Sequence, residues 1–503
     1  MPTVTAKSRG GRALRVVLPG ALGLTLLAGC GSRLTQAELT ALNHGSTTTL
    51  GRDSSGIGAP SSGERAAVDS GTAATAPVAV AVPRVATPAG GLSARPGPQA
   101  STPSPAPGST PIKGNTAGTG RTATAAVKTD NKPITICSVS ELDGPPGAAI
   151  AQGVNGLQAW VGDVNAGGGV NGHQIRLLVK DSGSDPNVAL AEVRGCVEND
   201  GAVALVGSMA TLTAAGYRSY LESKGVPSIG GDCGSSVYNE SRAFVNQCAA
   251  PQSSIWAIAY EAAHAGTANN KFGFLYCQEA RACADGKTWI VDDQYATKNG
   301  LDLAYTKQIS LTQLDFTSEC SAMKAAGVTT AMAIVDPSGL QRIGQSCARQ
   351  GFNPRWVQLY ASVNPDTQTK PGLGNIRLQL PTMPFCCLTG KDAENPTYKR
   401  YVTAFARYGG SRPAGPAAPL GWTAGLLFER FLHVVGKTDA TVTSAALMKA
   451  AGGIRNETLG GLVPPINLTS GAPTPDSKCW FVMQATDGAA WQTPNGLRTA
   501  CRP

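Results

Sequence analysis

Ile134-Thr135-Ile136-Cys137-Ser138-Val139 is a β-branched, apolar run that reads as a buried strand. It opens the stretch from Ile134 to Gly207, which decides the fold class. Apolar residues then recur at Ile150, Val154, Leu157, Val161 and Val164, one face of a helix. Asn165-Ala166-Gly167-Gly168-Gly169 ends that helix, because glycine takes the left-handed conformation of a helix end. Ile175 to Val179 is a second strand. Asp181 to Pro186 turns the chain, with Pro186 placed for the first turn of a helix over 188–199, and Val203 to Gly207 is a third strand. Strand and helix alternate with short connections, the pattern of a parallel sheet covered by helices.

Three segments carry a family resemblance: Asn165-Ala166-Gly167-Gly168-Gly169-Val170-Asn171-Gly172, then Asp181-Ser182-Gly183-Ser184-Asp185-Pro186, then Ala204-Leu205-Val206-Gly207-Ser208. Together they resemble the leucine/isoleucine/valine-binding protein family, extracytoplasmic solute-binding proteins of ABC importers. The similarity runs over roughly residues 130–490 and is densest between Gly153 and Gly230. It implies an α/β protein of the type 1 periplasmic binding fold, with two doubly wound parallel-sheet lobes joined by a hinge that the chain crosses several times. The first segment also fits GxGxxG literally, but it closes a helix and precedes a strand. A dinucleotide fingerprint has the reverse context, so a tight turn is the reading here.

With 503 residues the chain is long enough for more than one core. Its formal net charge is +9. Without the segment before Cys30, 38 basic residues stand against 33 acidic, or +5, spread along the chain with no dense basic run. Nucleic acid is therefore not an expected partner. The scarce histidines, His44, His173, His264 and His433, make no HExxH, and no CxxC pair occurs, so no metal and no cofactor is expected. No GxSxG elbow is present. Gly286-Lys287-Thr288 resembles half a P-loop, but Arg281 stands where its first glycine belongs. The expectation is a protein without enzymatic activity, with ATP hydrolysis left to a separate subunit.

Residues 1–29 read as an export signal: Lys7, Arg9, Arg12 and Arg15 precede an apolar core from Val16 to Leu27. Leu27-Ala28-Gly29-Cys30 resembles a lipobox, which implies a lipoprotein acylated on Cys30 and held at the outer face of the cell membrane. From 30 to 130 Ser, Thr, Gly, Ala and Pro dominate, as in Thr102-Pro103-Ser104-Pro105-Ala106-Pro107, and little could bury a core. This reads as a stalk, either a tether across a cell wall or a permissive spacer.

The second alternating set comprises helix Ser253 to Ala265, strand Phe272 to Tyr276, helix Lys287 to Thr297, strand Leu303 to Ile309, helix Thr317 to Ala326, strand Thr330 to Val335 and helix Leu340 to Gln350, closed by Trp356 to Tyr360. By resemblance the chain then returns to lobe one near Pro384, with helices over 396–408, 421–435 and 444–451, and ends on strand Cys479 to Gln484 in lobe two. The expected boundaries are 131–250 with 384–465 for lobe one, and 251–383 with 466–503 for lobe two. Apart from Cys30, twelve cysteines remain, six per lobe, which allows every bridge to stay within a lobe. Proximity suggests Cys233–Cys248, Cys277–Cys283 and Cys320–Cys347.

In open α/β sheets ligands bind beyond the carboxyl ends of the strands. This singles out Ser140 after strand one, Thr211 and Thr213 after strand three, Asp232 after strand four, and Asp336 and Tyr360 in lobe two. The resemblance implies that Thr211 and Thr213 hold a ligand carboxylate, with helix capping as the other role. It also implies an acid for a ligand ammonium in lobe two. The Tyr360-Ala361-Ser362-Val363 loop offers none, which leaves Asp336. Asp232 departs from an amino-acid site by placing a carboxylate in lobe one, unless it serves as a cap or turn. The expectation is a lipid-anchored receptor that captures a small solute, first of all an amino acid, by lobe closure and passes it to ABC permease subunits. Amides, urea-like compounds and small carboxylates, a ligand sensor for a membrane signalling partner, and an extracellular enzyme on the same fold remain the alternatives.

Overall fold

The computed structural model describes residues 132–411, 414–438 and 442–502. The export signal, Cys30 and the stalk lie outside the described residues. β1 (Ile134–Ser140) pairs in parallel with β2 (Ile175–Asp181) over its whole length. β3 (Leu205–Ser208), β4 (Ser228–Gly231) and β5 (Phe244–Val245) complete an all-parallel sheet of order β2-β1-β3-β4-β5. The second sheet is built from β6 (Lys271–Cys277), β7 (Asp302–Ile309), β8 (Thr330–Ile334), β9 (Arg355–Leu359), β10 (Ile376–Leu380), β11 (Cys479–Ala485) and β12 (Ala500–Cys501). Its order is β12-β11-β10-β9-β8-β6-β7, parallel from β7 to β10 and antiparallel at β11 and β12. The protein is thus the α/β fold expected, two doubly wound sheets dominated by parallel strands.

The Gly167–Gly172 segment is a turn. Helix Gln152–Ala166 ends there, Gly168 and Gly169 have φ of 95° and 85°, and β2 follows. A Cβ on Gly169 would stand 2.1 Å from the His173 carbonyl oxygen, so the glycine is needed for close approach of backbone. Three readings need correction. The helix expected over 188–199 is an α-helix over Pro186–Arg194 followed by a wider turn over Gly195–Asn199, with the Asp185 side chain capping its start. The helix expected over 287–297 is Arg281–Lys287, a wide turn over Thr288–Asp292 and Tyr295–Lys298, broken where Gln294 takes a φ of 61°. A strand, β10, stands where the sequence reading placed none. Its alternation of Ile376, Leu378 and Leu380 with Arg377 and Gln379 is the signal for it, and its apolar face is buried.

After β5 the chain passes to the second sheet along residues 246–250, returns along 381–389, and passes over again along 470–478. The first and third passages lie side by side. Asn246 N–H donates to Thr474 Oγ1 at 3.0 Å, and Ala250 N–H to Asp476 Oδ1 at 2.9 Å. In the second passage Met383 N–H bonds the Leu462 carbonyl at 2.8 Å.

The excursion between 390 and 469 covers the first sheet. Helix Ala418–Thr438 crosses helix Gln152–Ala166 at backbone contact: a Cβ on Gly156 would stand 1.9 Å from the Ala418 carbonyl oxygen, and one on Gly421 1.7 Å from that of Gly153. Trp160, Trp422 and Phe428 are fully buried around this crossing. Trp160 Nε1 donates to Glu429 Oε2 at 2.9 Å, and Arg400 bonds both Asp163 (2.6 Å) and Glu429 (3.1 Å). Among the described residues no helix is long and apolar enough to cross a membrane. On the second sheet, Glu261 of helix Pro251–Ala263 accepts from Arg377 Nε (2.5 Å) and Trp480 Nε1 (2.8 Å), joining the helix to β10 and β11.

Among the described residues six disulfides form: Cys137–Cys196, Cys233–Cys248, Cys277–Cys283, Cys320–Cys347, Cys386–Cys387 and Cys479–Cys501. None ties one sheet and its helices to the other. Cys386–Cys387 joins neighbours within the second passage, with Cys387 at a φ of 69°.

Candidate ligand-binding cleft

A cavity of about 510 Å³ lies between the two sheets, a volume that suits a small organic molecule. Each wall is made by loops at the carboxyl ends of parallel strands. From the first sheet come Asp143 and Gly144 after β1, Gly183 and Ser184 after β2, Thr211 and Leu212 after β3, and Cys233, Gly234 and Ser236 after β4. From the second come Cys277 at the end of β6 with Glu279, Cys283, Asp285 and Trp289 after it, Leu311 and Thr312 after β7, Val335 and Asp336 after β8, and Tyr360 to Ser362 after β9. The surface is mostly apolar, with Ile150, Leu212, Ile255, Ile334, Leu359 and the Trp289 ring among its contributors.

Of the residues singled out in the sequence, Thr211, Asp336 and Tyr360 line this cavity. Tyr360, buried at its base, donates its hydroxyl to Asp232 Oδ1 across the cleft. The other Asp232 oxygen accepts from Thr211 Oγ1 at 2.7 Å and Gly234 N–H at 3.0 Å. Burial pushes the Asp232 carboxyl above its usual range, against the bonds from Tyr360, Thr211 and Gly234 that pull it back.

Ser140 and Thr213 sit behind the lining. The Ser140 hydroxyl accepts from Met209 N–H at 2.9 Å and pairs with Ser138 Oγ at 2.9 Å, so it fixes the start of the loop after β3. Thr213 faces Glu141, a residue the sequence reading gave no role. Glu141 Oε1 accepts from Leu212 N–H (2.7 Å), Thr213 N–H (3.1 Å) and Thr213 Oγ1 (3.1 Å). Its Oε2 is buried with no protein partner. Burial raises the Glu141 carboxyl to about 7, helped by the charge of Asp232 and opposed by the Leu212 and Thr213 bonds. The one signal for this residue was its place directly after the first strand.

Asp336 caps helix Pro337–Arg349, accepting from Ser338 N–H at 3.1 Å and Gly339 N–H at 3.3 Å. At the rim Glu279 accepts from Ser310 Oγ (2.5 Å) and Leu311 N–H (3.0 Å), while Asp285 pairs with Arg281 at 3.4 Å.

The model of the family described as "periplasmic binding protein" matches residues 133–490. No curated protein sequence matches the chain. Solved structures similar to it include a possible leucine/isoleucine/valine-binding protein from Rhodopirellula baltica (15% identity, TM-score 0.60, covering 73% of this chain and 98% of that one). A solute-binding protein from R. palustris, solved in complex with benzoate, has 15% identity and a TM-score of 0.58, over 74% and 98% of the two chains. A fatty acid ABC transporter substrate-binding protein from Thermomonospora curvata has 17% identity and a TM-score of 0.58, over 72% and 92%. At these identities the structures speak for the fold alone, whereas the family match spans β1 to β11 and both walls of the cleft. The chain belongs to the periplasmic binding protein family, and so to the extracytoplasmic solute-binding proteins.

Proposed function

We propose that the protein is the lipid-anchored solute receptor of an ABC importer. In this reading Cys30 carries the acyl chains at the outer face of the membrane, 30–130 is the stalk, and permease subunits receive the solute. Lobe one, 131–250 with 384–465, and lobe two, 251–383 with 466–503, close on it. The observation that carries the reading is the cavity walled by both sheets at the carboxyl ends of their strands, with Thr211 and Cys233 on one side and Asp336 and Tyr360 on the other. Thr211, Asp336 and Tyr360 contact the solute. Ser140, Thr213 and Asp232 hold their loops from behind.

The solute is a small, mainly apolar organic molecule, since apolar side chains form most of the surface it meets. The amino acid that the family resemblance implies would need a carboxylate site, and the Leu212 and Thr213 donors suited to one are bonded to Glu141.

A solute bound by both lobes biases the protein toward the closed form. The test is a screen of the full-length protein against a solute library, reading Trp289 fluorescence together with the radius of gyration from small-angle scattering. At least one solute should change the fluorescence, saturably, and compact the protein. A library that yields neither response removes the receptor reading.

A further inference from the structure

We infer that the solute carries no net negative charge, and is a largely apolar neutral or cationic molecule. This rests on the receptor reading above and narrows its ligand. Among the described residues the walls of the cavity contain four acidic residues, Asp143, Glu279, Asp285 and Asp336, and no Lys, Arg or His. Arg281 reaches Asp285 from outside the lining and is itself largely exposed.

An anion could still be held without a basic side chain, because a helix N-terminus presents free N–H groups and a positive partial charge. Among the described residues, three segments that lead into helices at this cavity have an N–H or hydroxyl group bonded to a carboxylate of the protein, whereas the short helices Gly144–Ile150 and Arg281–Lys287 begin there without a side-chain cap. Glu141 takes the Leu212 and Thr213 N–H groups ahead of helix Ala214–Lys224. Asp336 takes the Ser338 and Gly339 N–H groups of helix Pro337–Arg349. Asp476 takes the Ala250 N–H and the Ser253 hydroxyl of helix Pro251–Ala263. The Thr211 hydroxyl and the Gly234 N–H are likewise spent on Asp232.

Several donors at the cavity are thus taken up by the protein's own carboxylates, while the Ser184 hydroxyl in the lining has no partner. The polar side chains that face the solute are carboxylates, hydroxyls such as those of Ser184, Ser236 and Ser254, and a Thr211 oxygen free to accept once more. Bringing in an anion would place it among like charges with no basic side chain to compensate, which is unfavourable. An ammonium, an amide N–H or a hydroxyl meets partners at Asp336 or Thr211, and its apolar remainder lies against Leu212, Ile255, Ile334 and Trp289.

The test uses sets of three compounds that share one apolar skeleton and end in an amine, an amide or a carboxylate, beginning with 4-phenylbutylamine, 4-phenylbutanamide and 4-phenylbutyrate and continuing through aliphatic and bicyclic skeletons. Melting temperature and calorimetric affinity are read on the full-length protein at one pH. Within any set that binds, the amine or amide should bind at least about tenfold more tightly than the carboxylate. A carboxylate that binds as well as its partners overturns the inference and leaves the receptor reading standing. Silence across every set sinks both. In Asp336→Ala the cap and its charge are gone, so the carboxylate-to-amine affinity ratio should rise by about tenfold. Asp336→Asn, which keeps an acceptor at the cap, serves if the alanine variant does not fold. A ratio unchanged in the folded variant counts against the inference.

Discussion

The Tyr360 hydroxyl, from the loop after β9, donates to the Asp232 carboxylate, from the loop after β4, so a single side-chain bond joins the two halves at the floor of the cleft. Both residues are buried there. A hydrogen bond to a charged partner contributes about 1.5–3 kcal/mol. In Tyr360→Phe that contribution to the closed form is lost, while Asp232 retains Thr211 and Gly234. Without solute the variant should be more open than wild type, and scattering should give a larger radius of gyration. Superimposable profiles for the two proteins would refute this latch.

Glu141 makes stability depend on pH. Its carboxyl is raised from 4.5 to about 7 in the folded protein, so the folded state holds the proton over a range in which the unfolded chain has released it. Stability should therefore fall as pH rises between those two values, by about 3 kcal/mol in all, and level off above. Asp232, raised in the same direction, adds to the fall. Glu141→Gln should flatten much of the slope. Urea titrations of both proteins across pH 5–8 decide it, and parallel curves would show that Glu141 carries no share.

Two glycines should respond in opposite directions. Gly156 faces the Ala418 carbonyl, with no room for a Cβ, and its neighbours are backbone that cannot swing aside. Gly156→Val should lower stability by about 3 kcal/mol or more. Gly195 is helical with nothing within 4 Å of an added Cβ. Gly195→Ala should raise stability by about 0.5–1 kcal/mol. Denaturant midpoints measure both, and the expectation fails if the two shifts have the same sign.

The bridges should differ in the same assay. Cys320–Cys347 closes a separation of 27 residues, which corresponds to about 3–4 kcal/mol through the unfolded chain. Cys386–Cys387 joins neighbours and restrains almost none of the unfolded chain. Replacing both members of the first pair by serine should lower the denaturation midpoint far more than the same change in the second. Equal shifts would contradict this.

The sequence was legible where periodicity is strong. The 134–207 stretch announces strand, helix and turn because its apolar spacing changes from every residue to every third or fourth, and its glycines and prolines fall at the ends. β10 is harder to read, since Arg377 and Gln379 make it resemble a solvated edge. Arg377 is tolerated in the second sheet because it bonds Glu261 and Gln484, partners brought close only by folding. The site shows the same division. The loops at the strand ends follow from the order of the elements. That Thr211 reaches the cavity while Thr213 turns back to Glu141 depends on a contact over some seventy residues of chain, to which local spacing is blind. The Asp232–Tyr360 bond, 128 residues long in sequence, has no local signal at all.

Because the chain makes three passages between the sheets, an odd number, its two ends finish in different halves: Lys132 leads into β1 and Arg502 follows β12. Whatever precedes Lys132 holds one half directly and the other only through the waist. Dyes placed near these two positions would therefore report closure as a change in energy transfer, with neither label touching the mouth through which the cargo enters.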